Sequence, residues 1–191
     1  MTTLITGLIL FLGIHSVSIV APAWRNRTAE RIGKPAWQGI YSIVALAGLV
    51  LIVRGYGEAR GMTPYLYVLP RWIQAVTTTL MLPVFPLLIA AYLPGVIRTA
   101  AKHPMLVAVK LWAFAHLLAN GSVADVVLFG SILAWAVLER ISLKRRMPRP
   151  VPSAPATRWN DLIAVVVGIL IYSVMLHGGH AWLIGMPLVF R

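Results

Sequence analysis

Two histidines, His15 and His116, lie deep inside apolar stretches of this chain. Polar groups at such depth in a bilayer are costly, so each needs a reason. His116 falls within His-Pro-Met-Leu-Val-Ala-Val-Lys-Leu-Trp-Ala-Phe-Ala-His-Leu-Leu-Ala-Asn-Gly, residues 103–121, and His15 within Gly-Ile-His-Ser of the first apolar run. A neutral imidazole can ligate a metal, relay a proton or hydrogen-bond to a neighbouring helix. Residue type alone leaves all three open. Zinc suits the pair least, because it takes three or four protein ligands and no His/Asp/Glu cluster shares their depth. An iron between two helices needs only two imidazoles. A haem b iron takes imidazoles from both sides in this way, and no Cys-x-x-Cys-His attachment is present.

Depth supports the pairing. His15 lies about 11 residues below the outer start of its span, roughly 16 Å at 1.5 Å per residue. His116 lies about 12 residues above the inner start of its own, roughly 18 Å up, which in a core of ~30 Å leaves it ~12 Å from the outer face. Trp112, one turn before His116, is either packing or the wall of a cofactor pocket, and Phe114 would line the same site. Asn120, one turn after, could orient the imidazole or simply cap the helix end. Arg54, Arg60 or Arg71 could meet outward haem propionates, and Lys110 inward ones. Lys110 could instead snorkel or pair with Glu139. His103, His177 and His180 read as interfacial residues near span ends. If the ligands lie elsewhere, His177 is next in line.

The elements that position these residues are membrane helices. The chain has 191 residues, 59% hydrophobic and 12% charged, where a soluble domain carries roughly 25% charged residues. Apolar runs predict about six transmembrane helices over residues 4–23, 37–53, 71–93, 104–119, 122–143 and 159–177, an all-α polytopic bundle. The whole chain, residues 1–191, reads as a single membrane domain. Met1-Thr2-Thr3 lacks the basic n-region of a cleaved signal, so the first run reads as a retained helix. Pro83 and Pro86 predict a kink in the third span. Ser122 and Asp125 fit a capping box opening the fifth. Asp161 suits the N-terminus of the sixth. Gly55-Tyr56-Gly57 and the glycines of 169–180 read as helix ends. Residues 62–68 are expected along the membrane surface, residues 144–158 as an irregular Pro-rich basic loop, and the tail 181–190 at the surface or folded back.

The net charge of +12 follows from basic residues collected in loops, and no basic domain stands outside the membrane to bind nucleic acid. Loops after the first, third and fifth spans carry 12 of the Arg and Lys residues, and the opposite side carries four. That asymmetry predicts both termini outside, N-out and C-out. Trp24, Trp37, Trp72, Trp159 and Trp182 fall near span ends, where indoles settle. No paired carboxylate within a span, Gly-x-Ser-x-Gly, Walker loop or dinucleotide fingerprint is present.

Several motifs together resemble the NnrU family. They are Ile14-His-Ser16, Arg31-Ile-Gly33, Gly39-Ile-Tyr-Ser42 and Ala91-Tyr-Leu-Pro94, then His103-Pro-Met-Leu106, Lys110-Leu-Trp-Ala-Phe-Ala-His-Leu-Leu-Ala-Asn-Gly121, Leu128-Phe-Gly130 and Ala134-Trp-Ala-Val-Leu-Glu-Arg140. The resemblance implies a multi-pass protein of the bacterial inner membrane, associated with denitrification beside nitrite and nitric oxide metabolism. The family is similar to the zeta-carotene isomerase of plants and cyanobacteria, a membrane haem b enzyme with two histidine ligands. Those ligands fall on His15 and His116. The isomerase carries a cysteine three residues before its second histidine, where this chain has Ala113, so a thiolate ligand switch is not available here. Two classes of function follow. One is a haem protein or enzyme with redox, gas-responsive or isomerase-like activity on an apolar or small-gas ligand. The other is a non-catalytic membrane factor that assembles or regulates denitrification machinery, with structural histidines.

Overall fold

The structure is a computed structural model, which describes residues 1–146 and 151–185. The fold is all-helical. Among the described residues, five segments are long and apolar enough to cross a bilayer: Thr2–Val20, Lys34–Ala59, Ile73–Ala90, Val123–Leu143 and Asn160–Ile184. A sixth apolar helix, Pro104–Ala119, has 16 residues, about 24 Å of length against a core of ~30 Å. Large apolar side chains face outward on these helices, including Ile43, Leu46, Leu170 and Val174, as lipid contact requires. The chain is a multi-pass membrane protein. It forms two compact units, residues 1–68 with 120–146, and residues 69–119 with 147–191.

In the first unit, α1 (Thr2–Val20) packs along α3 (Lys34–Ala59) and against α8 (Val123–Leu143). Glycines set the α1–α3 spacing. A Cβ on Gly48 would come within 2.7 Å of the Phe11 amide nitrogen, and one on Gly7 within 2.6 Å of that of Ile52. Gly55 meets the backbone of Leu4 in the same way. With lipid on one side and helix on the other, such close backbone approach is what drives association. It also corrects the expected end of the second span. Gly55 and Gly57 do not stop the helix, which runs to Ala59, because Gly55 is there for contact with α1. The basic segment after α1 forms a further helix, α2 (Pro22–Ile32), with Pro22 in its first turn. Gly33, at φ 88°, turns it into α3.

The segment after α3 is tied to the start of α8 as well as lying at a span end. Leu66 N–H donates to the Gly121 carbonyl at 2.7 Å, Val123 N–H to that of Pro64 at 3.0 Å, and the Tyr67 hydroxyl to that of Asn120 at 3.0 Å. Burial and the nearby Asp125 charge raise the Tyr67 pKa, keeping the phenol a donor. The expected capping box forms: Ser122 N–H donates to Asp125 at 2.8 Å, and the Ser122 hydroxyl accepts from Asp125 N–H at 3.3 Å. Tyr56 adds a third element, its hydroxyl donating to Asp125 at 2.6 Å.

In the second unit the third span breaks where the prolines predict, into α4 (Ile73–Met81) and α5 (Val84–Ala90) across Leu82 and Pro83. α7 (Pro104–Ala119) packs on both pieces, and α5 packs on α9 (Asn160–Val174). Asp161 opens α9 as expected, yet its carboxylate serves a different helix. It accepts from Val96 and Ile97 N–H at 2.8 and 3.0 Å, capping α6 (Val96–Ala101). Buried Asn160 holds the same corner, donating to the Pro94 carbonyl at 2.7 Å and the Pro155 carbonyl at 3.1 Å. Residues 151–158 are without regular structure apart from a closing turn, as expected. The glycines near 178 interrupt the last helix, as expected. After α9 the chain kinks within Met175–Gly179, where Gly178 is non-helical, and continues as α10 (His180–Ile184). The remainder of the predicted tail and residues 147–150 of the basic loop lie outside the described residues.

Candidate functional site

Each unit presents one of the two sequence-selected histidines. In the first, His15 occupies the middle of α1. Its Nδ1 lies 2.6 Å from the carbonyl oxygen of Phe11, one turn back. A carbonyl only accepts, so Nδ1 carries the proton and Nε2 of the neutral ring carries the lone pair. Three aromatic rings surround the imidazole: Phe11 at 4.3 Å, Tyr41 of α3 at 5.1 Å, and Trp135 of α8 edge-on at 5.6 Å. The indole nitrogen of Trp135 is buried and has no acceptor among the described residues. One turn further along α8, Glu139 forms an ion pair with Arg146, which also donates to the Ser18 carbonyl at 2.8 Å. Glu139 therefore has a cation within its own unit.

In the second unit, His116 repeats the local geometry. Its Nδ1 lies 2.8 Å from the Trp112 carbonyl, which again leaves the lone pair on Nε2. The Trp112 ring lies 4.9 Å from the imidazole, tilted by 46°. Ring orientation at His116 is thus set from the preceding turn by Trp112, whose backbone and side chain both contribute. Ala113 is fully buried, so the position three residues before His116 holds a methyl group in a packed interior. Phe114 is 46% exposed and stands on the lipid-facing side of α7. Asn120 belongs to the turn that joins α8, where its carbonyl accepts from Tyr67.

The remaining histidines separate into different roles. His103 precedes α7, where its carbonyl accepts from Val107 N–H at 3.1 Å, opening the helix. His177 is exposed, with Nδ1 2.8 Å from the Ser173 carbonyl. His180 is half-buried, and its ring stands 6.5 Å from that of His116 with the planes 30° apart. A kink separates the two. On a regular helix, residues three apart share a face, whereas the non-helical Gly178, at φ 142°, lies between His177 and His180.

A model of the NnrU protein family matches residues 3–188. The chain belongs to the NnrU family. No curated protein and no solved structure matches it. The match takes in both units of the NnrU chain, including the segments that carry His15, His116 and His180. Two residues beside His15 that sequence reasoning did not single out, Tyr41 and Trp135, both stand in segments that carry the family resemblance. Their side-chain types were visible, but their convergence depends on α1, α3 and α8 packing together.

Among the described residues, no group of three or more His, Cys, Asp or Glu side chains could hold a metal. A tetrapyrrole supplies four nitrogens itself and asks the protein for only two. The buried indole N–H beside His15 also lacks what a carboxylate or other acceptor on a bound group would provide.

Proposed function

We propose that this NnrU protein is a haem b protein of the bacterial inner membrane, with His15 and His116 as the iron ligands. The observation that carries this reading is the placement of the two histidines, both part-buried, whereas His177, which makes the same Nδ1–carbonyl contact, is exposed. Each sits within an apolar helix and has its Nδ1 proton tied to its own backbone one turn back. This fixes both ring and tautomer, as outer partners do at metal-ligating histidines. Depth in the sequence and resemblance to a haem-binding isomerase point to the same pair. The Trp112 ring against His116 and the aromatic shell around His15 would exclude water from the ligand nitrogens. The Trp135 N–H would donate to an acceptor on the bound group.

When bound, haem b supplies an iron centre that can change oxidation state and take small ligands. The protein's own contribution is to hold two imidazoles in one tautomer within a dry, lipid-surrounded site. We assign it a role in nitric oxide-related or denitrification metabolism, or isomerase-like redox chemistry on an apolar substrate reaching it from the bilayer. The basic residues after the first, third and fifth spans orient the chain with both termini outside. The test is the visible spectrum of purified protein expressed with ample haem. A Soret band altered by both His15→Ala and His116→Ala supports the assignment. A band indifferent to both places the ligands elsewhere, and no band removes the haem. Reversible reduction and nitric oxide binding would mark an active haem protein. An inert low-spin haem would mark a non-catalytic assembly or regulatory factor.

A further inference from the structure

The last span is built to bring a third histidine to His116. A continuous α-helix from Asn160 would carry His177 and His180 on one face, three residues apart. Instead the helix kinks within Met175–Gly179, where Gly178 takes φ 142° and leaves the helical conformation. That backbone conformation is open to glycine and strained for other residues. Beyond the kink His177 is exposed, while the half-buried His180 ring stands 6.5 Å from that of His116. Two imidazoles on opposite sides of one metal, each nitrogen about 2.0 Å from it, have ring centroids about 6.3 Å apart. The observed spacing of 6.5 Å accommodates a metal between the two rings.

We propose that His180 is a third iron-ligating histidine, able to bind the iron that His116 holds when His15 does not. The proposal rests on the haem reading for the identity of the metal, and on the second unit's own geometry for the ligand. One neutral imidazole stands in for another. The iron's oxidation state and the charge of the site are unchanged, and no co-reactant is needed. Among the described residues no group of three or more His, Cys, Asp or Glu gathers there, and two protein nitrogens suit a tetrapyrrole iron, where a zinc ion would take one or two more.

The experiment is visible and electron paramagnetic resonance spectroscopy on the full-length, haem-loaded protein in detergent. The wild type is compared with His15→Ala, His180→Ala and the double variant. His15→Ala alone is expected to remain six-coordinate and low-spin. The double variant is expected to become five-coordinate and high-spin, and added free imidazole is expected to restore the low-spin spectrum. That rescue separates a missing ligand from a collapsed fold. Gly178→Ala in the His15→Ala background should raise the high-spin fraction without removing any imidazole. A His15→Ala protein that is already high-spin overturns the proposal, as does a double variant that matches His15→Ala. Wild-type protein without a Soret band is a different failure, which removes the haem reading and this inference together.

Discussion

The indole of Trp135 meets the imidazole of His15 edge-on, at 5.6 Å and 86°, with its own N–H buried and lacking an acceptor among the described residues. A buried donor left unsatisfied costs about 1–3 kcal/mol. Trp135→Phe removes that donor and keeps an aromatic ring. The haem-free protein should be as stable as the wild type or about 1 kcal/mol more stable, while haem retention through purification should fall. Thermal unfolding and the haem-to-protein absorbance ratio read the two effects separately. Lower stability with unchanged haem content would mean that the N–H serves packing alone.

The α1–α3 contact makes a paired prediction. Gly55→Val drives a branched side chain into the backbone of Leu4, and overpacking of this kind costs about 1–3 kcal/mol or more. Gly57, two residues on, has open space where its Cβ would be, so Gly57→Ala should be neutral or stabilising by about 0.4–1 kcal/mol. Unfolding of the two variants in detergent should move in opposite directions or differ by well over a kilocalorie.

Asp125 accepts from Ser122 N–H, the Ser122 hydroxyl and the Tyr56 hydroxyl. Asp125→Ala removes the helix cap and leaves buried donors without an acceptor, a combined loss of about 2–4 kcal/mol. Tyr56→Phe removes only one of these bonds and should cost about 1 kcal/mol. Equilibrium unfolding of both variants gives the ratio.

Topology is tested at the chain ends. Periplasmically active enzyme reporters fused to either terminus should both show activity, and a reporter inserted in the basic loop near residue 150 should not. Activity at one end alone would contradict an even number of crossings.

These predictions draw unequally on sequence and structure. The Ser122–Asp125 cap, the break at Pro83 and the extent of α7 were legible because each depends on a few neighbouring residues. Gly55 was misread, since a glycine that ends a helix and one that admits a neighbouring backbone look the same in sequence. Asp161 was expected at a helix N-terminus and is found at one, but that of α6, which only the tertiary fold brings within reach. His180 was placed with His177 at the interface. A kink at Gly178 separates them, and no periodicity announces it beyond the Gly178-Gly179 pair.

The most direct test of the central claim is the haem content of the purified protein and of its His116→Ala variant, measured by extraction of the tetrapyrrole and its characteristic absorption. The account predicts haem b in near-stoichiometric amount in the wild type and a several-fold loss in His116→Ala, with the variant still folded in detergent. Wild-type protein free of haem after expression with ample supply would contradict it, as would a His116→Ala variant that keeps its full haem content and an unchanged spectrum.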